Sequence, residues 1–120
     1  TKGLFMEDGS GLSRFNTITA KQMVFMLNYM KNESVNSEAF FNSLPTVPNG
    51  TLWYFNQNNF PEQALRAKSG SMTRVRCFAG QLKTQSKRTV LFAILLNNFS
   101  CSQSQAIKTI EKLLVEIENQ

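Results

Sequence analysis

Two neighbouring segments with strand character constrain the fold more than any other feature of the sequence. In "VRCFAGQLKT", residues 75–84, the side chains of Val75, Cys77 and Ala79 alternate with those of Arg76, Phe78 and Gly80, as on the two faces of a strand. In "TVLFAILLNN", residues 89–98, the seven residues 90–96 are all apolar. The polar "QSK" between the segments predicts a turn, so together they predict an antiparallel hairpin. Because the second strand is apolar on both sides, we expect it inside a sheet that is covered on both faces.

Three other segments carry the period of a helix. Residues 19–31, "TAKQMVFMLNYMK", place four apolar side chains at i, i+3, i+4 and i+7, with Thr17 or Thr19 as N-cap, and we expect that stripe in the core. A second short helix is predicted over residues 37–42, before the turn-rich "SLPTVPNG". The last is predicted over residues 102–117 and would cover one side of the sheet. Its apolar face comprises Ala106, Ile107, Ile110, Leu113, Leu114 and Ile117, and its outer face Lys108, Glu111, Lys112 and Glu118.

The stretch "TLWYFNQNNFPEQ", residues 51–63, fits neither pattern, because it is rich in aromatic and amide side chains without a clear period. We interpret Trp53 and Tyr54 as packing aromatics, with a position at the border of a substrate cleft as the alternative. The predicted order is helix, helix, strand, strand, strand, helix.

Composition limits the class of protein. The chain has 120 residues, 42% of them apolar and ten of them Phe, which suits one folded domain or part of one. Its longest apolar run, seven residues, is far shorter than the roughly 20 that cross a bilayer. Histidine is absent, and Cys77 and Cys101 lack the spacing of a metal site. We expect both cysteines to be small buried hydrophobic residues, with a disulfide between them as the alternative.

Positive charge is concentrated in one part of the chain. The net charge is +5, yet residues 66–88 alone contain seven Lys or Arg residues and no Asp or Glu. Such a field attracts anions, which include nucleic acid, a membrane surface and a substrate carboxylate. We interpret Arg74 and Arg76 as solvated strand charges, with reinforcement of carboxylate binding as the alternative.

Two polar segments carry the chemistry, "DGSGLSRFN" at residues 8–16 and "AKSGSM" at residues 67–72. Each alone is typical of a turn. Serine acylases of the β-lactamase and penicillin-binding type combine a Ser-x-x-Lys motif, a Ser/Asn motif and Lys-Thr-Gly. Lys68-Ser69-Gly70 fits the third motif, with Ser in place of Thr, and the Ser/Asn segment precedes it on the chain.

Together with "SLP", "NGTL" and "LFAILLNNF", these segments resemble the C-terminal part of the D-alanyl-D-alanine carboxypeptidases/endopeptidases of the class C penicillin-binding proteins, the S13 peptidase family. The resemblance runs from residue 8 to about residue 98. It implies an α+β, β-lactamase/transpeptidase-like fold: an antiparallel sheet flanked by helices, with the C-terminal helix packed on the sheet. Residues 1–120 would be a single partial piece of that domain. In the family the nucleophile is the serine of Ser-x-x-Lys, and no lysine here has a serine three residues before it.

The resemblance implies catalytic roles for three residues. Ser13 would relay a proton to the departing amine, and Asn16 would orient the substrate, although the family spacing is Ser-x-Asn and this chain has Ser-x-x-Asn. Lys68 would supply positive charge to the site.

It also implies substrate-binding roles for the three residues that follow. Ser69 would bind the terminal carboxylate of D-Ala-D-Ala, and Gly70 would leave room for an extended peptide. The backbone N–H of Ser71 would be one donor of an oxyanion hole.

The implied parent protein is a serine D-Ala-D-Ala carboxypeptidase, also an endopeptidase in some members, that acts on peptidoglycan stem peptides through an acyl-enzyme and is acylated by β-lactams. It implies a periplasmic or envelope location, no metal or organic cofactor and no nucleic acid partner. The isolated chain should be inactive, and its unpaired edge at residues 90–96 should drive self-association. Two alternatives remain: a non-catalytic penicillin-binding homologue, and a basic module that binds nucleic acid or another anion.

Overall fold

The chain folds as an antiparallel sheet between helices, in a computed structural model that describes residues 3–120. The predicted element order is confirmed, and so is the α+β class. The elements are α1 (Ala20–Asn32), α2 (Ser37–Ser43), β1 (Leu65–Met72), β2 (Val75–Lys83), β3 (Thr89–Asn97) and α3 (Gln103–Glu118).

The three strands lie in the order β1-β2-β3, and both neighbouring pairs are antiparallel. Ser71 lies opposite Arg76 on β2, and Phe78 lies opposite Ile94 on β3. Because side chains alternate along a strand, Arg76, Phe78, Gly80 and Leu82 point to one face. In the described part of the chain β3 pairs with β2 alone, so the expectation of an interior strand is wrong for residues 3–120.

Each face of the sheet is covered by a different helix. On the face of Phe78 and Leu82, α3 buries its apolar stripe. The core on that side comprises Val47, Leu52, Phe55, Phe60, Ala64, Leu65, Ala67, Phe78, Leu82, Phe92, Ile107, Ile110 and Leu114. Helix α1 lies on the opposite face, where Lys31 Nζ donates to Gln81 Oε1 at 3.3 Å. None of the helices formed by residues 3–120 is long and apolar enough to cross a membrane.

Both long helices begin with a capping box. At α1 the Thr19 hydroxyl accepts from Gln22 N, and the Gln22 side chain accepts from Thr19 N. Ser102 and Gln105 make the same reciprocal pair at α3. Each box satisfies two backbone donors that a helix leaves unpaired at its start, which is why the helices begin there.

The stretch without a clear sequence period forms three short 3₁₀ helices, Gly50–Leu52, Gln57–Asn59 and Pro61–Gln63. Leu52, Phe55 and Phe60 are buried between these turns and α3. Helix α3 also holds the stretch in place, because one Glu111 carboxylate oxygen accepts from Asn56 N at 2.8 Å and from Asn59 Nδ2 at 3.0 Å.

Two residues of α3 depart from their predicted faces. Leu113 was expected in the core and is 49% exposed, because it lies about 100° around the helix from the fully buried Leu114. Glu118 was expected outside and is buried. Its main chain and side chain both hold the β2–β3 turn: Gln85 N donates to Glu118 O at 2.8 Å, and Gln85 Nε2 donates to Glu118 Oε2 at 3.3 Å.

The predicted core stripe of α1 is only partly buried. Leu27 is buried against the sheet, whereas Met26 is exposed, and so are Phe25 and Tyr29 beside it. In the described part of the chain α1 packs chiefly on β3 and α2, so one turn of its apolar surface stays uncovered.

The cysteines are free thiols, and no disulfide joins them. Cys77 is half-buried on β2, and burial raises the pKa of its thiol. Cys101 is exposed, so the prediction of a buried hydrophobic residue is wrong there. The reason is its place in the connection that precedes the N-cap of α3.

Candidate functional site

Lys68-Ser69-Gly70 lies on a strand and not in a turn, since it occupies the middle of the edge strand β1. At the start of β1, Leu65 and Ala67 are buried; from Gly70 onward the strand is exposed. The motif therefore spans the point where β1 leaves the core and reaches the surface.

The register of β1 separates the motif side chains by face. Ser69 and Ser71 lie opposite Phe78 and Arg76, on the face that α3 covers. Lys68 and Gly70 alternate with them and point to the other face. A ligand along the free edge of β1 can thus meet the lysine on one side and the hydroxyls on the other.

The backbone of β1 shows which groups face this free edge. Ala67 N donates to Pro45 O at 3.1 Å, and Ser69 N donates to Thr51 Oγ1 at 3.4 Å, so both N–H groups point away from β2. Because the direction alternates with a period of two residues, the N–H of Ser71 points the same way. Residues 45–51 therefore close the first half of the edge, and Ser71 presents a donor just beyond it.

Lys68 reaches the same edge from the opposite face. Its ammonium Nζ donates to Ser69 O at 2.9 Å, and its side chain is exposed. The carbonyl of Ser69 points to the free edge, as its N–H does. The positive charge is therefore held close to the backbone of the motif.

Gly70 has open space where a side chain would be. A Cβ added there would meet only Cys77 Cβ, at 3.9 Å, which is an ordinary contact. Gly80, on the neighbouring strand, is different, because a Cβ there would overlap Arg66 O and lie 2.6 Å from Ala67 Cα. Packing within the described residues explains Gly80 and leaves Gly70 free to serve a ligand.

Arg76 contradicts its interpretation as a solvated strand charge, because it is only 5% exposed. It shares a face with Phe78 and Gly80, so its side chain runs along the core side of the sheet. Its Cζ lies 4.7 Å from the ring centroid of Tyr54 and 5.3 Å from that of Phe78. Its Nε and Nη2 atoms are buried, and within the described part of the chain they have no hydrogen-bond partner.

Tyr54 lies over this guanidinium, and Trp53 packs on Tyr54; neither residue enters the core. Their rings stack with centroids 4.0 Å apart, and Trp53 is 65% exposed. A hydrogen bond to Arg76 is the largest cause of a lowered pKa at the Tyr54 hydroxyl. The contact between the two rings fits their interpretation as packing aromatics, and a position at the border of a substrate cleft stays a prediction.

Arg74 is exposed, as expected, but it belongs to the β1–β2 turn and not to a strand. Its Nε donates to Phe99 O at 3.1 Å, and its Nη2 donates to Asn98 O at 3.4 Å. The side chain thus ties the β1–β2 turn to the segment after β3.

Ser13 and Asn16 lie in a loop that closes on itself. Asn16 Oδ1 accepts from Glu7 N at 2.8 Å, and Asn16 Nδ2 donates to Asp8 Oδ1 at 2.7 Å. Ser13 Oγ accepts from Phe15 N at 3.2 Å. Hydrogen bonds from Ser10 and then Asn16 lower the pKa of Asp8.

The predicted site residues therefore form two groups. Lys68, Ser69, Gly70 and Ser71 are consecutive along β1, whereas the hydrogen bonds of Ser13 and Asn16 in the described chain stay within residues 7–16. Within residues 3–120 no cluster of His, Cys, Asp or Glu is arranged to hold a metal ion. A shallow depression of about 570 Å³ beside α3 is lined by other residues, among them Asn56, Lys108 and Glu111.

Sequence reasoning missed three features of this surface: the hydrogen bond from Ser69 N to Thr51, the contact of Tyr54 with Arg76, and the buried position of Arg76. The alternation of β2 carried the signal for Arg76, since it places this arginine in phase with Phe78. No local pattern indicates Thr51 or Tyr54, because they meet β1 and β2 only through the tertiary fold.

The sequence model of the D-Ala-D-Ala carboxypeptidase 3 (S13) family matches residues 1–120. A curated relative, penicillin-sensitive carboxypeptidase A of Dictyostelium discoideum, is 30% identical over 115 residues, an alignment that covers 90% of this chain and 22% of the relative.

Two solved structures of penicillin binding protein 4 from Haemophilus influenzae share the fold. One superposes with a TM-score of 0.83 at 25% identity and covers 98% of this chain and 28% of that protein. The other, a complex with a novel β-lactam, gives 0.82 at 25% identity, with 98% and 29% covered. The chain thus spans about a quarter of the length of these relatives.

Proposed function

The chain belongs to the D-Ala-D-Ala carboxypeptidase 3 (S13) family, and we propose that the protein that contains it is a serine-type D-Ala-D-Ala carboxypeptidase that β-lactams acylate. One observation carries this proposal: Lys68-Ser69-Gly70 lies on an edge strand whose lysine, hydroxyls and Ser71 N–H surround one open edge. That edge suits an extended peptide, which adds to a sheet by backbone pairing.

The reaction we propose runs through an ester. A serine hydroxyl attacks the carbonyl of the penultimate D-Ala, the peptide bond breaks, and the terminal D-Ala leaves as an amine that has gained a proton. Water then hydrolyses the acyl-serine and restores the hydroxyl. Because no Ser-x-x-Lys motif occurs in these 120 residues, we place the attacking serine outside them.

The residues of β1 would bind and polarise the substrate. Ser69 would donate to the terminal carboxylate, and Gly70 would let the peptide approach the strand. The Ser71 N–H would complete an oxyanion hole, and loss of such a donor typically costs about 10²- to 10³-fold in rate. The ammonium of Lys68 would keep a relay hydroxyl ready to pass its proton to the leaving amine.

Ser13 and Asn16 would contribute as the relay hydroxyl and the orienting amide. Both side chains already make hydrogen bonds within their loop. Their part in catalysis therefore requires that a substrate compete with the partners Phe15 N, Glu7 N and Asp8. The ammonium of Lys68 donates to Ser69 O on its own strand and has three N–H donors, so it can bind a ligand without giving up that contact. This difference ranks Lys68 and Ser69 above Ser13 and Asn16 as targets for mutation.

The whole protein would act on peptidoglycan stem peptides, as a carboxypeptidase and also as an endopeptidase, in the periplasm or cell envelope. The chemistry uses hydroxyl, ammonium and backbone N–H groups and requires no metal or organic cofactor. Residues 1–120 would be one partial C-terminal piece of the penicillin-binding domain. We therefore expect the isolated chain to form no covalent adduct with a fluorescent penicillin, and an adduct would contradict this division of the domain.

The experiment that tests the function uses the full-length protein with a fluorescent penicillin and a D-Ala-D-Ala peptide. Lys68→Met and Ser69→Ala should each lower the acylation rate by about 10-fold or more, because each removes a charge-assisted contact. Lys83→Met is the matched control, an exposed lysine at the end of β2, and should acylate normally. Absence of any adduct in the unsubstituted protein would favour a non-catalytic homologue and overturn the proposal.

The basic segment is the one observation that favours a different function. Its seven Lys or Arg residues between 66 and 88 suit an anionic polymer such as nucleic acid. That function predicts oligonucleotide binding that weakens steeply as salt is raised. The carboxypeptidase proposal predicts instead that D-Ala-D-Ala peptides compete with penicillin in a saturable way.

A further inference from the structure

Arg76 has buried hydrogen-bond donors that find no acceptor among residues 3–120. Its guanidinium is buried, and among residues 3–120 no atom accepts a hydrogen bond from its Nε and Nη2 donors. Buried donors are paired in nearly all native proteins, and each exception needs an explanation. An anion is the partner that would satisfy both the charge and the two donors.

Arg76 lies on β2, next to the strand that carries Lys68-Ser69-Gly70. Arg76 lies opposite Ser71 in the register of the sheet, and Phe78, two residues further along the same face, lies opposite Ser69. The guanidinium therefore lies on the side of β1 where the two serine side chains point. The same face does not include Lys68, which points to the other side of the sheet.

One aromatic ring near the surface, that of Tyr54, lies over Arg76. Tyr54 lies with its ring centroid 4.7 Å from Arg76 Cζ, and Trp53 stacks on Tyr54. Both residues directly follow the 3₁₀ turn Gly50–Leu52, in which Thr51 accepts from Ser69 N. Tyr54 is 37% exposed and Trp53 65%, so these rings lie at the surface, and turning Tyr54 aside would open a path to Nε and Nη2 at the cost of its contact with Arg76.

We infer that Arg76 is a carboxylate anchor of the substrate cleft: its Nε and Nη2 donors pair with the terminal carboxylate of the D-Ala-D-Ala peptide, beside the hydroxyl of Ser69, once Tyr54 moves aside. The inference rests on the proposed function. The planar guanidinium fork matches the two oxygens of a carboxylate, which an ammonium does not. Arg76 thus makes the site specific for a peptide with a free C-terminus.

The test is a titration of the full-length protein with N-acetyl-D-alanine and with its C-terminal amide, neither of which contains a D-Ala-D-Ala bond. The acid should bind about 10-fold or more tightly than the amide, as expected for hydrogen bonds to a charged group. Arg76→Met should abolish this preference, and Arg76→Lys, which keeps the charge without the fork, should retain only part of it. Arg74→Met, an exposed arginine two residues away, should leave it unchanged.

Thermal unfolding of each variant accompanies the titration. Met preserves the apolar stem of the side chain and removes an unpaired buried charge, so we expect Arg76→Met to fold. Should it fail to fold, Arg76→Lys decides, since full retention of the preference for the acid in that variant would contradict a bidentate anchor.

Two results overturn the inference: Arg76→Met retains the preference for the acid, or the unsubstituted protein shows none. The second result would mean that an acidic side chain elsewhere in the protein neutralises Arg76. If penicillin still forms an adduct in either case, the carboxypeptidase proposal stands and the inference alone fails. If the preference is present and lost in Arg76→Met while no adduct forms, the anchor is supported and the catalytic proposal fails.

Discussion

The pKa of the Tyr54 hydroxyl depends on the charge of Arg76. Hydrogen bonding to Arg76 is the first cause of the lowered pKa of the Tyr54 hydroxyl, and the positive charge of Arg76 adds to it. Both effects favour the phenolate, so Arg76→Met should raise the pKa of Tyr54 toward its ordinary value of 10.0. A titration followed by the ¹³C signals of the Tyr54 ring measures it, with Arg74→Met as the control. An unchanged pKa in Arg76→Met would contradict the contact between the two side chains.

Gly70 and Gly80 form a matched pair that separates function from folding. A Cβ at Gly80 would overlap the backbone of β1, so Gly80→Ala should destabilise the fold by about 1–3 kcal/mol or more. At Gly70 a Cβ meets only an ordinary contact, and Gly70→Ala should leave the free energy of unfolding within about 0.5 kcal/mol. Chemical denaturation measures both values.

The same pair tests the space that a peptide needs at β1. Gly70→Ala should slow acylation of the full-length protein by penicillin, since its methyl group intrudes on the edge that the ligand uses. Gly80→Ala should acylate normally under conditions in which it stays folded. Fast acylation of Gly70→Ala would show that the ligand does not approach that part of the strand.

Helix α3 packs on the sheet through one face only. Leu114 is fully buried under the sheet, whereas its neighbour Leu113 is 49% exposed. Leu114→Ala should lower the free energy of unfolding by about 2–5 kcal/mol, because it removes buried methyl groups and leaves a cavity. Leu113→Ala, the same chemical change one position earlier, should cost under about 1 kcal/mol. Similar losses at both positions would mean that α3 is rotated from the orientation described.

The elements that sequence alone predicts are those whose information is local. The capping boxes at Thr19 and Ser102 and the alternation along residues 75–84 each mark an element within one short window. Residues 51–63 were not predictable, because Leu52, Phe55 and Phe60 are positioned by contacts with α3 and the sheet. The outward position of Leu113 and the burial of Glu118 also depend on which side of α3 its neighbours occupy.

The candidate site likewise contains residues that the local sequence indicates and residues that only the fold brings together. Lys68, Ser69 and Gly70 are adjacent in sequence, so their motif is visible there. Thr51 and Tyr54 approach from another segment, and only the folded chain brings them to Ser69 and Arg76. The interpretation of Arg76 as a solvated charge followed residue type and disregarded the phase of the strand, which places Arg76 with Phe78.

The sheet of the folded chain ends in an apolar edge strand, β3. In the described chain β3 pairs on one side only, and residues 90–96 are all apolar. An unpaired strand of this kind is a template for another chain. The exposed residues Phe25, Met26 and Tyr29 of α1 lie on the helix that packs on β3 and add apolar surface near it.

We therefore expect the isolated 120-residue chain to self-associate through β3. Sedimentation should show a mean mass that rises with concentration, and backbone amides of β3 should exchange more slowly in the associated form, because new strand pairing protects them. Phe25→Asp is the control: Phe25 is 73% exposed, and an added charge there would disrupt association through α1 without affecting pairing through β3. Association that persists in this variant supports the strand edge. A chain that stays monomeric at high concentration, or one that Phe25→Asp renders monomeric, would show that β3 does not recruit a second copy.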